Sequence, residues 1–218
     1  MTIVTPSEWL ADLVKKSFFK DYPVRVINNG IDISVFKPTY GNFAERYNIA
    51  EGKHILLGVA FDWGARKGLD VFCELAGRLD PEKYQIVLVG TNDAIDQTLP
   101  KNIISIHRTQ NQAELAEIYT AADLFVNPTR EENYPTVNME SIACGTPVLT
   151  FDTGGSAEML NSSCGCIVKR NDIDAMEREI IRICKDMPYT AKDCVNRAKA
   201  FDANEKFKEY VKLYKEKV

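Results

Sequence analysis

Short apolar, β-branched runs alternate with helix-period segments along almost the whole chain, and this restricts the fold more than any other feature. Strand candidates are Ile3–Thr5, Val24–Ile27, Ile55–Ala60, Gln85–Val89, Ile103–Ile106, Leu124–Asn127, Val148–Phe151 and Cys166–Val168. Several are apolar at nearly every position, as parallel strands buried on both faces must be. Between them lie helix candidates at Ser7–Phe19, Lys67–Leu79, Gln112–Ala121, Thr136–Cys144 and Gly155–Leu160. This order implies right-handed βαβ units, hence an α/β fold with a parallel sheet and helices on both faces. Beyond Leu160 the pattern turns helical, at Ile173–Met187, Ala191–Phe201 and Ala203–Lys217.

One boundary is legible. Asn28-Asn29-Gly30-Ile31-Asp32 is turn chemistry, followed by Phe36-Lys37-Pro38. The single βαβ unit before it is too small to close a core. We therefore expect residues 1–38 to be the end of one domain plus a linker, and residues 39–218 to be a full α/β domain. Met1 leads directly into a strand, compatible with a chain cut short at its N-terminus.

Composition excludes several classes. The formal net charge is −4, with no dense Lys/Arg stripe of the kind nucleic-acid binders carry. Lys206 to Lys217 is interleaved with Glu205, Glu209 and Glu216, which reads as a solvated helix face. No apolar run reaches the roughly 18 residues of a membrane span. Six irregularly spaced cysteines read as reduced thiols, and Cys164-Gly165-Cys166 lacks a second ligand pair for a metal. With two distant histidines, His54 and His107, a zinc site or a histidine-based triad is poorly supplied.

Sheets of this kind bind ligands at the carboxyl ends of their strands, so the informative residues follow each strand. After Ile55–Ala60, Arg66 and Lys67 precede Gly68 at an apparent helix start. Cations there oppose the helix dipole unless an anion offsets them, which suggests phosphate; two solvated surface cations are the plain alternative. Gly90-Thr91-Asn92-Asp93 is a small turn open to close approach. His107-Arg108-Thr109-Gln110 could read a base edge, while Asn111 and Glu114 have capping-box spacing. After Leu124–Asn127 come Glu131, Glu132, Asn133, Tyr134 and Pro135, then a helix carrying Thr136, Val137 and Glu140. Ionised carboxylates accept from sugar and ribose hydroxyls, and free N–H groups near Thr136 and Val137 suit a pyrophosphate. Glu131 reads as a surface charge, Cys144 as a packed core residue, and Glu158 as either a ligand group or an ordinary helix acid. Gly154-Gly155-Ser156 looks like another glycine-rich helix entry.

Glu132 to Glu140 spells E-x7-E, followed by Ala143-Cys144-Gly145-Thr146-Pro147-Val148 and Gly154-Gly155-Ser156-Ala157-Glu158. With Thr5-Pro6-Ser7-Glu8-Trp9-Leu10, Asn29-Gly30-Ile31-Asp32, Arg66-Lys67-Gly68 and the helix ending in Leu213-Tyr214, this ordered set resembles the family 4 GT-B glycosyltransferases. The resemblance implies the Rossmann-like C-terminal half of a GT-B fold. It implies retaining, metal-independent transfer of a hexose from a UDP- or GDP-sugar, with no cofactor, in cell-surface polysaccharide synthesis. By the same resemblance Arg66 and Lys67 neutralise the departing diphosphate and Glu132 bonds sugar hydroxyls. Glu140 would bond the ribose, Asn133, Tyr134, Thr136, Val137 and Gly154 would contact sugar and phosphate, and His107 and Arg108 would lie near the base. The C-terminal helix would cross back to the acceptor domain.

The pattern departs from the family at two points. Phe61 and Asp62 stand where many members carry an arginine, and Asn133-Tyr134-Pro135 replaces a glycine-containing stretch. Tyr134 is then expected to stack on or bond the sugar. The acceptor-binding domain is almost wholly missing, so the expectation is binding of donor without unaided transfer. The acceptor, a glycan or a lipid-linked glycan, would be held by that missing N-terminal domain. Expected location is the cytoplasm or the inner face of the membrane, with peripheral membrane association and self-association through Trp9, Leu10, Leu13, Val14 and Phe18 as further expectations. Two other readings are a non-catalytic nucleotide-binding module and a nucleotide-sugar epimerase.

Overall fold

The computed structural model describes residues 1–216. Its strands are β1 (Ile3–Thr5), β2 (Val24–Val26), β3 (His54–Val59), β4 (Tyr84–Val89), β5 (Ile103–Ile106), β6 (Leu124–Asn127), β7 (Val148–Phe151) and β8 (Gly165–Val168). The helices are α1 (Glu8–Val14), α2 (Phe43–Arg46), α3 (Leu69–Arg78), α4 (Asp93–Asp96), α5 (Gln112–Ala121), α6 (Thr136–Ala143), α7 (Ile173–Asp186), α8 (Ala191–Ala198) and α9 (Ala203–Lys215). Strands β3 to β8 form one parallel sheet in the order β5-β4-β3-β6-β7-β8. Chain order reverses between β3 and β6, so the switch point lies there. Every residue of β6 and β7 is buried, because helices cover both faces. One core holds Leu57, Phe125, Tyr119, Met139 and Cys144. The other holds Leu56, Phe72, Leu149, Phe151 and Ile180.

Local chemistry sets the helix starts. Asn111 accepts from the N–H of Glu114 at 2.9 Å, Asp172 from Ala175 at 2.8 Å, and Thr190 from Asp193 at 3.1 Å. The Glu114 carboxylate in turn accepts from the N–H of Gln110 at 2.6 Å, so the capping role of Asn111 and Glu114 is real.

Residues 1–26 form a separate two-stranded parallel sheet, β1 with β2, joined through α1. The linker is hydrogen-bonded to the C-terminal segment: Ile31 N–H donates to Phe201 O at 2.8 Å, and Ala203 N–H to Ile31 O at 2.9 Å. From there α9 returns to β2, where Arg25 pairs with Glu216 at 3.2 Å.

Three expected elements differ. The helix expected over Ser7–Phe19 stops at Val14, and a run of tight turns follows. No helix forms over Gly155–Leu160. Its bonds are three-residue turns (Ser156 to Thr153, Glu158 to Gly155, Leu160 to Ala157), since Gly154 is left-handed at φ 54° and Gly155 lies against the Asn133 carbonyl. The cationic segment Ala65–Lys67 is a 3-10 turn, and left-handed Gly68 (φ 78°) separates it from α3. Short α2 and α4 have no apolar period to betray them. Lys217, placed at the end of the last helix from sequence, lies outside the described residues.

Glu158 is not an acid of its own helix, since residues 155–160 form turns. Its two oxygens accept from the N–H groups of Glu8 (2.9 Å) and Trp9 (2.8 Å) at the start of α1, and Ser7 accepts from Leu10 at 3.1 Å. An acid from the large domain thereby caps a helix of the small unit. Glu158→Ala is expected to destabilise α1 by about 0.5–2 kcal/mol. Hydrogen exchange at the Glu8 and Trp9 amides reads this out, and unchanged protection would contradict the cap.

Candidate functional site

At the carboxyl ends of β3, β6 and β7 the loops enclose a cleft of about 610 Å³, lined by Trp9, Arg66, Arg130 to Asn133, Asp152 to Gly154, and Arg170. It sits at the edge of the switch point, where such sheets leave their loops apart. The strand-end loops bring Arg66, Lys67, Glu132, Asn133 and Gly154 together, as expected.

The charge conflict read from sequence is resolved by the protein itself. Lys67 Nζ donates to Glu132 Oε2 at 2.5 Å, with about a fifth of each side chain exposed. Glu132 is the anion that offsets the cation. Arg66 is exposed beside it. Arg130, which sequence reasoning passed over, ties this cationic turn to the β6 loop. Its guanidinium makes two bonds of 2.7 Å to Asp70 and one of 2.7 Å to Asn171, and it donates to Ala65 O, while its own N–H donates to Arg66 O at 2.8 Å. A bidentate arginine fixes orientation as well as distance.

Thr153 was missed too. It is 8% exposed and lines the cleft, and its hydroxyl is buried without a hydrogen-bond partner. Buried hydroxyls are normally satisfied; this one and that of Ser156 have no protein partner among the described residues. Only its position beside Gly154-Gly155 hinted at this.

Glu140 lies apart from the cleft lining. It is on the second turn of α6, half-buried, and accepts from the Tyr119 hydroxyl of α5 at 3.1 Å. Burial pushes its pKa up, against the lowering effect of bonds to Tyr119 and Thr136. A carboxyl raised in the folded state favours folding most below its unfolded pKa, and that advantage is lost as pH rises through the folded pKa. Glu140→Gln keeps an acceptor for Tyr119 and removes the buried charge. We expect a higher melting temperature than wild type at pH 7, with the difference vanishing below about pH 4. A variant less stable at pH 7 would contradict this. No side chain caps α6, since Pro135 has none to offer, and Thr136 is exposed with Val137 beside it.

Other candidates lie elsewhere. Tyr134 does not reach the cleft: it is 5% exposed, its ring packs 6.4 Å from Phe201, and burial pushes its hydroxyl up to about 12. The expectation that its ring stacks on or its hydroxyl bonds a sugar is therefore corrected; its backbone remains at the loop. His107 and Arg108 are exposed at the end of β5, two strands and about 10 Å from β3. His107 bonds Asp96 at 2.7 Å, which raises its pKa. Asp93, Asp96 and His107 are, among the described residues, the group with metal-ligating spacing, and all three are exposed. Glu131 is exposed, as expected, though it also lines the cleft. Cys144 is buried.

Two of the glycines at the strand ends are required by protein packing. A Cβ on Gly154 would stand 1.7 Å from the Glu132 carbonyl oxygen, and one on Gly90 would stand 1.7 Å from that of Ala60. Gly154 thus sets the height of the loop that carries Glu132.

The domain is doubly wound α/β, with a cationic turn facing a carboxylate at its switch point, the place where sheets of this class bind their ligands. The narrower assignment comes from similarity. Residues 53–186 match the family model "Glycosyl transferases group 1", and the chain belongs to that family. It is 29% identical over 179 residues to the D-inositol 3-phosphate glycosyltransferase of Streptosporangium roseum, an alignment covering 73% of this chain and 41% of that protein. It is 25% identical over 218 residues to the N,N'-diacetylbacillosaminyl-diphospho-undecaprenol alpha-1,3-N-acetylgalactosaminyltransferase of Campylobacter jejuni, covering 94% of this chain and 57% of that one. The structure of Alr3699/HepE from Anabaena in complex with UDP-glucose superposes with a TM-score of 0.80 at 17% identity, over 99% of this chain and 64% of that one. The chain spans about half the length of these relatives. The α/β Rossmann-like fold is shared.

Proposed function

We propose that the chain is the donor-binding part of a retaining, metal-independent hexosyltransferase that uses a UDP- or GDP-sugar and a glycan or lipid-linked acceptor. The observation that carries this reading is the Lys67–Glu132 pair beside Arg66 at the switch point. A lysine ammonium has three donors and a carboxylate about four acceptor sites. When a diphosphate arrives, Lys67 turns part of its donor set to it. The Glu132 oxygens so released accept from hydroxyls of the sugar. Arg66 adds a second positive charge where the leaving group gathers negative charge, the task a divalent ion performs elsewhere. Thr153 lines the same cleft. Glu140 is assigned to the ribose, and His107 and Arg108 to the outer end of the nucleotide, where the base lies.

The small β1–α1–β2 unit supports the domain reading. A two-stranded sheet is marginal alone, and its strands here are only half-buried. We assign residues 1–38 to the edge of an acceptor domain plus linker, and α9 to the return crossing. Transfer needs both halves around donor and acceptor, so this chain alone binds donor without transferring it. Glycosylation of an acceptor faster than donor hydrolysis would refute that.

The primary test is a thermal-shift panel of nucleotide sugars and bare nucleotides. A donor at about 100 times its Kd adds about 2.7 kcal/mol to stability, with UDP- or GDP-sugars raising the midpoint and EDTA changing nothing. No shift and no calorimetric heat with either nucleotide at millimolar concentration would sink the assignment.

A further inference from the structure

A second cavity lies at the opposite pole of the six-stranded sheet, and the glycosyltransferase reading gives it no task. It measures about 280 Å³, more than the roughly 150 Å³ that accommodates a benzene ring. His54 opens β3, Asp123 stands immediately before β6, and Pro147 immediately before β7. The cavity therefore sits at the amino ends of the strands whose carboxyl ends carry the cleft. The four residues of β6 span about 13 Å between the two. Every lining residue falls between Tyr40 and Ala191, within the large domain and apart from the β1–α1–β2 unit. The inner wall is firm: Cys144, Thr146, Ile183 and Cys184 are all buried.

The electrostatics of this pole favour a cation. Asp123 lines the cavity, and no other Asp, Glu, Lys or Arg does among the described residues. Its carboxylate is held in place: Oδ2 accepts from the Ile55 N–H at 2.7 Å, and the Asp123 N–H donates to Ile55 O at 3.0 Å. Oδ1 has no hydrogen-bond partner among the described residues, since His54 Nδ1 at 3.7 Å is too far to bond it. Three helices also end here. Thr120 belongs to the last turn of α5, Cys144 follows α6 directly, and Ile183 and Cys184 belong to the last turn of α7. Helix C-termini carry partial negative charge and favour cations. Pro188 lacks the N–H that would bond the Cys184 carbonyl, and that carbonyl accepts no hydrogen bond among the described residues. The N-terminus of α8 borders the cavity at Ala191, but its Thr190 cap and Asp193 in its first turn already offset it. Tyr40 and Tyr189 contribute to the walls, and aromatic faces attract cations. We infer that this cavity is a second ligand site, one that takes a small organic cation, an ammonium or amidinium on a flat apolar ring, with Asp123 as its charge partner.

Benzamidine, benzamide and benzoate share one shape and differ in charge, so together they separate charge from fit. Each is titrated into the isotope-labelled 218-residue chain and followed by amide NMR shifts. Benzamidine should move the amides of Asp123, Gly145 and Ala191 and leave those of the cleft loops in place. A charge-assisted bond to Asp123 should make it bind about tenfold tighter than benzamide, and benzoate should not bind. Asp123→Asn keeps an acceptor for the Ile55 N–H and should cost benzamidine about tenfold while sparing benzamide. Ala191→Trp, at an exposed rim position, leaves the carboxylate untouched and should abolish binding of both by filling the cavity. That variant keeps the test alive should Asp123→Asn fail to fold, which circular dichroism reads out. Absence of shifts with millimolar benzamidine, shifts confined to the cleft loops, benzoate binding as well as benzamidine, or undiminished benzamidine affinity in either folded variant would each overturn the proposal.

Discussion

Replacing Lys67 by alanine is expected to weaken nucleotide-sugar binding by about 1–3 kcal/mol, roughly fivefold to 150-fold, in calorimetry with the donor that gives the largest thermal shift. Two losses combine. The ammonium no longer bonds the diphosphate, and the Glu132 carboxylate loses the partner now 2.5 Å away. An unpaired carboxylate in a partly buried cleft is itself unfavourable and repels the incoming phosphates. Glu132→Gln on the Lys67→Ala background should therefore restore part of the affinity. A double-mutant cycle would then show coupling well outside the additive range of about 0.3–0.5 kcal/mol. Additive losses would mean that the two residues act independently and that no exchange of partners accompanies binding. Lys67→Arg should keep much of the affinity. An unchanged Kd for Lys67→Ala would remove the residue from the phosphate site.

The second large effect is expected at Gly154. Alanine there must adopt a left-handed conformation at φ 54° and place its Cβ against the Glu132 carbonyl, 1.7 Å away unless the loops part. Left-handed backbone at an ordinary residue costs about 1–2 kcal/mol, and overpacking of a tight contact about 1–3 kcal/mol. Gly154→Ala should thus lower unfolding stability by about 2–5 kcal/mol in urea titration. It should also reduce donor affinity, because the loop that moves carries Glu132 and Asn133. Stability within about 1 kcal/mol of wild type would show that the loop relaxes freely. Intact affinity in a destabilised variant would detach Gly154 from the site.

Much of this was legible in the sequence because it rests on local chemistry. Continuous apolar runs marked β3 to β8 to within a residue or two, since a strand buried on both faces has no polar option. Asn111 with Glu114 announced a helix start because that cap is made within four residues. The ordered motifs placed Arg66, Lys67 and Glu132 near one another because strand-end loops converge in any sheet of this class. What failed was long-range. Tyr134 in a polar-looking loop reads as a sugar contact until Phe201, far along the chain, is seen covering it. Glu158 reads as a helix acid until its partners prove to be amides at residues 8 and 9.

From sequence alone, then, came the class of fold, fixed by periodicity along the chain, and the residue types at the strand ends; the family came from the resemblance of an ordered set of motifs. Only tertiary structure decided how those groups are engaged: Lys67 held by Glu132 rather than left for solvent, Glu140 turned toward Tyr119, Gly154 packed against a carbonyl, and Thr153 left with an unpaired buried hydroxyl. The reason is physical. Hydrogen bonds and burial are settled between residues tens to hundreds of positions apart, and no local pattern encodes which distant partner arrives.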